Sequence, residues 1–189
     1  MINEHDIAPL ISPYSKILDL GCGNGALIDF LRKQKQCMGY GVDIQYENII
    51  ECTTRRIPVY QGNLDEGLSS FADHSYDVVI LSQTLQQVKR PLYVINEMLR
   101  VGKKGIVSFP NFAHWRTRMQ LLSGNIPKTP SLPYSWDETP NIRVISIGAF
   151  RETCANHHIK ILKENHANRW GVCPNFFATR GVFLIERTK

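Results

Sequence analysis

The sequence predicts an α/β fold built around a mostly parallel sheet, and three observations carry that prediction. Short apolar runs alternate with helix-periodic segments over the first 110 residues, the pattern of repeated strand–helix–strand units. The first run leads into three glycines in five residues, Gly21-Cys22-Gly23-Asn24-Gly25, and then directly into a helical segment. The last two apolar runs have no convincing helix between them, so they are expected to pair antiparallel at one edge of the sheet.

Taken in order, Lys16-Ile17-Leu18-Asp19-Leu20 reads as a buried first strand. Residues 26–35 form a helix in which Leu27, Phe30 and Leu31 fall at i, i+3 and i+4. A second strand runs over 38–44 with Asp43 at its end, a helix over 46–55, and a short third strand over 57–61. Asp77-Val78-Val79-Ile80-Leu81 is the strongest strand signal, since a continuous apolar run suits a strand buried on both faces. The helix over 91–100 starts at Pro91, a residue tolerated in the first turn. Residues 105–109 give a fifth parallel strand, and 112–122 a helix.

Residues 124–141 contain Pro127, Pro130, Pro133 and Pro140 and are expected to be irregular. A connection of this length inside a compact domain is usually functional, and Tyr134 and Trp136 make the insertion at about 123–142 read as a packed lid. A helix over 147–156, a strand over 159–164, a loop over 165–175 and a final strand over 177–186 complete the chain.

The chain has 189 residues, 22 Lys+Arg against 17 Asp+Glu, and 43% hydrophobic residues, the balance of one globular domain over residues 1–189. At this size roughly 70% of the unfolded surface is buried, so no disulfide or metal staple is needed. Cys22, Cys37, Cys52, Cys154 and Cys173 are odd in number and contain no C-x-x-C pair, which points to a reducing cytoplasm and away from a zinc ribbon. The N-terminal MINEHDIAPLISPYSK has no signal-like apolar run, and no later segment approaches the roughly eighteen apolar residues of a membrane span. No membrane partner is expected. The formal charge of +5 comes from scattered basic pairs rather than a block, so no nucleic-acid partner is expected either. A homo-oligomer is compatible with the sequence.

Glycines at the carboxyl end of a first strand let a ligand approach the backbone, and a nucleotide-like ligand is implied. Read as Gly21, Gly23 and Ala26, the loop also satisfies the G-x-G-x-x-[GA] pattern, so the pattern alone leaves a nicotinamide dinucleotide open. Asp19 discriminates. A carboxylate two residues before the first glycine repels a pyrophosphate and suits a ligand with an ammonium and a sulfonium, namely S-adenosylmethionine.

Asp43, about twenty residues beyond the loop, could accept from both ribose hydroxyls or cap the following helix. Asn63 and the Leu64 N–H are placed to meet an adenine edge, or belong to a plain turn. The expected cofactor-binding set is Asp19, Gly21, Gly23, Asn24, Gly25, Asp43 with the adjoining Ile44, Asn63, Leu64, and Ser82 at the end of the fourth strand.

Methyl transfer needs an aligned acceptor and, for hydroxyls and amines, a base. The segment after the fourth strand, Leu81-Ser82-Gln83-Thr84-Leu85-Gln86, offers neither carboxylate nor histidine, and it lacks an Asn/Asp-Pro-Pro-aromatic motif. His114, Asp137 and Glu138 are candidate bases that read equally as surface polar residues, so no catalytic residue is assigned. Cys154 with His157 and His158 has no complementary cluster and reads as a core cysteine. Cys22 has no identifiable general base. Arg116 and Arg118, two apart on a helix, point to different faces and are candidates for partner contact.

Ile17-Leu18-Asp19-Leu20-Gly21-Cys22-Gly23-Asn24-Gly25 with Asp43 resembles the class I S-adenosylmethionine-dependent methyltransferases over nearly the whole chain. That resemblance implies a seven-stranded Rossmann-like sheet of order 3-2-1-4-5-7-6 with an antiparallel seventh strand and helices on both faces. Four further blocks narrow it: Gly62-Asn63-Leu64-Asp65-Glu66-Gly67-Leu68; Val79 through Gln86; Ser108-Phe109-Pro110-Asn111-Phe112-Ala113-His114-Trp115-Arg116; and Leu132-Pro133-Tyr134 with Thr139-Pro140-Asn141-Ile142. Together they resemble the MetW family of bacterial methionine biosynthesis, with Asn63 and Arg143 where Asp and His are usual. This resemblance implies binding of S-adenosylmethionine or S-adenosylhomocysteine and a partnership with a homoserine O-acyltransferase of the MetX type, which the chain would support or activate. The alternative it leaves is a methyltransferase acting on a small-molecule acceptor.

Overall fold

A computed structural model of the chain describes residues 4–166 and 172–188. Its sheet has seven strands: β1 (Lys16–Leu20), β2 (Met38–Asp43), β3 (Val59–Gln61), β4 (Tyr76–Ser82), β5 (Gly102–Pro110), β6 (Ile159–Glu164) and β7 (Arg180–Arg187). They lie in the order β3-β2-β1-β4-β5-β7-β6, as expected. The first five are parallel, and β7 runs antiparallel to both β5 and β6. A short helix α1 (Glu4–Ile7) precedes the sheet. Helices α2 (Ala26–Lys35), α3 (Tyr46–Thr54), α4 (Pro91–Val101), α5 (Trp115–Leu122), α6 (Ile147–Asn156) and α7 (Pro174–Phe177) follow in chain order.

The central strands are apolar on both faces because both are covered. Leu18, Leu20, Val79 and Leu81 pack with Val94, Ile95 and Met98 of α4 and Phe150 of α6 on one side. Ile17, Val78, Ile80 and Ile106 pack with Leu27 and Leu31 of α2 and with Ile7 on the other. Phe109, Phe150 and Phe183 form an aromatic knot, with ring centroids 4.7–5.8 Å apart.

Several element boundaries differ from the sequence reading, each for a local reason. β3 starts at Val59, not at residue 57, because the Ile57 N–H closes onto the Cys52 carbonyl at 2.9 Å and belongs to the turn after α3. β5 begins three residues early, at Gly102, which pairs with Tyr76. The last strand begins at Arg180 because Pro174 starts the short helix α7 where a loop and strand entry were expected. Part of the expected 165–175 loop, residues 167–171, lies outside the described residues, as do Met1 to Asn3 of the N-terminal segment.

The expected helix over 112–122 starts only at Trp115, because Asn111 holds the preceding residues in a turn. Asn111 is fully buried at the end of β5. Its amide donates to the carbonyls of Ala178 at 2.8 Å and Asn175 at 3.1 Å, and its Oδ1 accepts the Ala113 N–H at 3.2 Å. One side chain thereby fixes the exit of β5, the approach to β7 and the start of α5. Asn111→Ala leaves the buried Ala178 carbonyl and the half-buried Asn175 carbonyl without this donor, so it is expected to lower stability by about 2–4 kcal/mol, read as a reduced urea midpoint at unchanged m-value.

Candidate functional site

β1 and β4 are adjacent, yet the chain leaves β1 towards β2 and leaves β4 towards β5. Such a reversal opens a crevice outside the carboxyl ends of the strands. Here it has a volume of about 500 Å³, and Gly21, Gly23, Asp43, Ile44, Asn63, Leu64 and Ser82 of the expected set line it. The other three expected residues, Asp19, Asn24 and Gly25, do not. Asn24 accepts the Ala26 N–H at 3.2 Å at the start of α2. Gly25 faces Ile57 and Cys52.

Asp43 is 6% exposed, and its carboxylate is already engaged. Oδ2 accepts the Gly23 N–H at 2.8 Å, while Oδ1 accepts the Gln45 N–H at 2.9 Å and the Asn48 amide at 3.0 Å. The first residue of α3 is preceded by Gln45, so Asp43 is not the helix cap. Instead it ties the glycine loop to the β2–α3 turn. A carboxylate has about four acceptor positions, so three donors leave room for about one more rather than for two ribose hydroxyls.

Asn63 makes a turn, the plainer of its two readings. Its Oδ1 accepts the Asp65 N–H and its amide donates to Glu66. The Leu64 N–H begins this helical turn and so has no intrahelical acceptor. Asp65 in turn accepts the N–H groups of Lys89 and Arg90 at 3.0 and 2.8 Å, joining the β3 exit to the segment before α4. Ser82 shares a 2.9 Å hydrogen bond with Ser108 on β5.

Asp19 sits behind the loop at 2% exposure, and its Oδ1 meets no hydrogen-bond partner. Burial first, and the nearby Asp43 carboxylate second, push its pKa up from the usual 3.8 to about 7. An unpaired buried carboxyl costs free energy, and a cationic ligand group at the loop would relieve that cost. Over Gly23 the space is open: a Cβ placed there meets nothing within 4 Å. An orphaned buried acid at the entry to an open glycine loop, with the Asp43 carboxylate and the residue Leu64 lining the crevice, fits the donor and acceptor set of S-adenosylmethionine.

Sequence reasoning missed Asn48, Gln83, Thr84, Gln87 and Lys89, which also shape the crevice or its wall. Gln83 adopts φ 56° just past β4, an uncommon conformation for a non-glycine residue. Two signals were there: Asn48 is a short polar side chain just beyond a strand-end aspartate, and Gln83-Thr84 follow the fourth strand, whose carboxyl end borders such a crevice. The candidate bases fall away from the crevice. His114 is 7% exposed, caps α5 by accepting the Arg116 N–H, and has its pKa lowered by burial. Asp137 and Glu138 are exposed. Cys154 is in the core, and the Cys22 thiol is pushed up by burial against Cys52 at 3.9 Å.

A second and a third cavity lie beside the crevice, beneath the Pro-rich segment. One of about 420 Å³ shares Gln83 and Gln87 with the crevice and adds His114, Arg116 and Arg180. The other, about 250 Å³, is apolar and walled by Phe112, Leu132, Tyr134 and Trp136. The expected lid therefore packs as a roof over these cavities rather than over the glycine loop, and its far end is pinned by the Ile142 and Arg143 N–H groups donating to the Gln86 carbonyl.

The chain is similar to proteins of known class. The bifunctional methionine biosynthesis protein MetXA/MetW of Rhodopirellula baltica is 36% identical over 173 residues, which is 86% of this chain and 28% of that protein. The chain thus spans little more than a quarter of the relative's length. Among solved structures, the complex between the Haloferax volcanii Trm112 methyltransferase activator and a methyltransferase gives a TM-score of 0.71 at 14% identity, covering 98% of this chain and 88% of that one. A SAM-dependent methyltransferase of Thermotoga maritima, described as a possible histamine N-methyltransferase, gives 0.68 at 15% identity, covering 98% and 87%. At such identities these two establish the fold alone. The family model for methionine biosynthesis protein MetW matches residues 3–185, and with the Rhodopirellula relative it shows that this chain belongs to the MetW family.

Proposed function

We propose that the chain binds S-adenosylmethionine or S-adenosylhomocysteine in the crevice at the ends of β1–β4, and that it works with a homoserine O-acyltransferase of the MetX type. The observation that carries the binding reading is the orphaned Oδ1 of buried Asp19, at the strand end that leads into the open glycine loop. Asp19 balances the cationic end of the ligand, Asp43 accepts from one ribose hydroxyl, and the Leu64 N–H meets the adenine edge. When bound, S-adenosylmethionine supplies a methyl group activated by its sulfonium. The fused name of the Rhodopirellula relative supports the partnership: a MetX-type enzyme is expected to associate with this domain as well.

The cytoplasm is the proposed location. Five free cysteines fit a reducing compartment, and among the described residues no helix is long and apolar enough to cross a membrane. No metal or nucleic-acid partner enters this reading, and a homo-oligomer is compatible with it.

The partnership is tested by acyltransferase rates. Equimolar addition of the purified chain to a MetX-type enzyme is expected to raise its rate, and an unchanged rate would remove the partnership. Binding is tested separately through Asp43→Ala. Losing a hydrogen bond to a charged group, together with the anchor of the Gly23 N–H, is expected to weaken S-adenosylhomocysteine by about 1.5–3 kcal/mol in calorimetry. Equal affinity would confine Asp43 to holding the loop.

One observation favours the alternative of a methyltransferase: the 420 Å³ cavity adjoining the crevice gives an acceptor a place to sit. Labelled-methyl transfer to a component of cell extract, lost in Asp19→Ala, is the result expected on that reading.

A further inference from the structure

Half of the large apolar side chains that stand exposed among the described residues fall within residues 115–144, on α5 and the Pro-rich segment. Single exposed apolar side chains are ordinary, whereas a cluster of them marks an interaction site. Trp115, Met119 and Leu122 stand at i, i+4 and i+7 and so share one face of α5, and all three are exposed. The Gln120 side chain then clasps the Pro-rich segment to this helix. Its Oε1 accepts the Lys128 N–H at 2.7 Å, and its amide donates to the Lys128 carbonyl at 3.2 Å.

The apolar cavity of about 250 Å³ belongs to the same surface. Ile126, Trp136 and Val144 of its wall are 64%, 74% and 70% exposed, so the cavity lies at the outside of the molecule and not in its core. It has room for one large apolar side chain. Binding energy at protein interfaces concentrates on such anchors, held in apolar pockets and ringed by contacts that exclude water.

The charges around the cavity decide what fits it. Arg116, Arg118, Lys128 and Arg143 are exposed, and none pairs with a carboxylate among the described residues. Arg116 lies over the Trp115 ring, while Arg118 and Arg143 donate to backbone carbonyls. The acids of the segment are Asp137 and Glu138, and Glu138 already accepts from Ser135. The face is therefore net positive. A second copy of the chain would set like charge against like, whereas a partner with carboxylates around an apolar anchor complements it.

We infer that α5 and the Pro-rich segment form the docking surface for the acyltransferase, which presents a large apolar side chain to the cavity and carboxylates to Arg116, Arg118 and Lys128. The inference rests on the partnership proposed above and names the surface that serves it. None of these cations, nor Leu122 or Trp136, lines the glycine-loop crevice, so the surface stays open when the crevice is filled.

Calorimetric titration of a purified MetX-type acyltransferase into the full chain tests it. Trp136→Ala and Leu122→Lys are each expected to weaken the complex about tenfold or more. Arg118→Glu is expected to weaken it too and to reduce its sensitivity to added salt. The three side chains are exposed, so the variants keep the wild-type Tm. Met38→Ala, at an exposed apolar position on β2, keeps the wild-type affinity. A wild-type complex that the three variants leave unmoved would overturn the surface and keep the partnership. Absence of a wild-type complex would remove the partnership and the surface with it. A dimer of the chain alone, seen by sedimentation and lost in Trp136→Ala, would give this face to a second copy and overturn the inference.

Discussion

Asp19→Asn is expected to raise the stability of the ligand-free protein at pH 8 while weakening S-adenosylmethionine at least tenfold. The folded chain holds a proton on Asp19 up to about pH 7, whereas the unfolded chain releases it near the usual 3.8. Between those values the native state binds more protons, so stability falls as pH rises. The contribution is fully present below about pH 4 and is lost as pH passes through 7. Three units correspond to an upper bound of about 4 kcal/mol. A buried amide with imperfect partners costs about 1–3 kcal/mol of that gain. The net expectation is a rise of about 1–3 kcal/mol at pH 8, or roughly 3–10 °C in Tm for a chain of this size, whereas at pH 4 the amide cost stands alone and the variant is less stable by about 1–3 kcal/mol. A Tm difference independent of pH would show that Asp19 is ionised throughout and paired. The same ionisation makes ligand affinity rise with pH through 7, because a cation at Asp19 requires the carboxylate form.

Gly25→Val and Gly23→Ala are expected to separate folding from binding within one loop. Gly25 has φ 75° at the start of α2, and an added Cβ lies 2.5 Å from Ile57 Cδ1 and 3.0 Å from Cys52 Sγ. A β-branched residue must adopt a left-handed backbone there and displace the small cluster of Cys22, Ile28, Cys52 and Ile57. A loss of about 3–5 kcal/mol follows from strain and overpacking together. Gly23 has φ 52° with open space beyond it, so alanine costs only about 1–2 kcal/mol of backbone strain yet puts a methyl where a ligand would approach. Urea unfolding and calorimetry of the two variants distinguish these effects. Unchanged ligand affinity in Gly23→Ala would place the ligand elsewhere.

The sheet was legible in the sequence because its strands bury both faces, and runs such as Val78-Val79-Ile80-Leu81 leave little else to conclude. The antiparallel last pair was legible for a negative reason, the lack of a segment after β6 that reads as a full crossover helix; the four-residue α7 is too short for one. The start of β7 was not, because it is set by Asn111 reaching 67 residues along the chain to the Ala178 carbonyl. The glycine loop announced a ligand, but Gly23 and Gly25 look alike in sequence and differ only in what lies behind them.

Asp43 was legible as a strand-end carboxylate, while its bond to the Gly23 N–H depends on the closeness of two turns twenty residues apart. The Pro-rich segment was legible as a packed lid, but not what it covers. Its placement over the Gln86 cavities follows from the Gln86 carbonyl accepting the Ile142 and Arg143 N–H groups, backbone contacts on which no side-chain pattern bears.

The most direct measurement is calorimetric titration of S-adenosylhomocysteine into the wild-type chain and Asp19→Asn at pH 6 and pH 8. Recognition of the ligand cation by Asp19 predicts one site per chain, tighter binding at pH 8 than at pH 6 in the wild type, and affinity in Asp19→Asn at least tenfold lower at pH 8 with no pH dependence in this range. Wild-type and Asp19→Asn curves that superimpose at both pH values would contradict it.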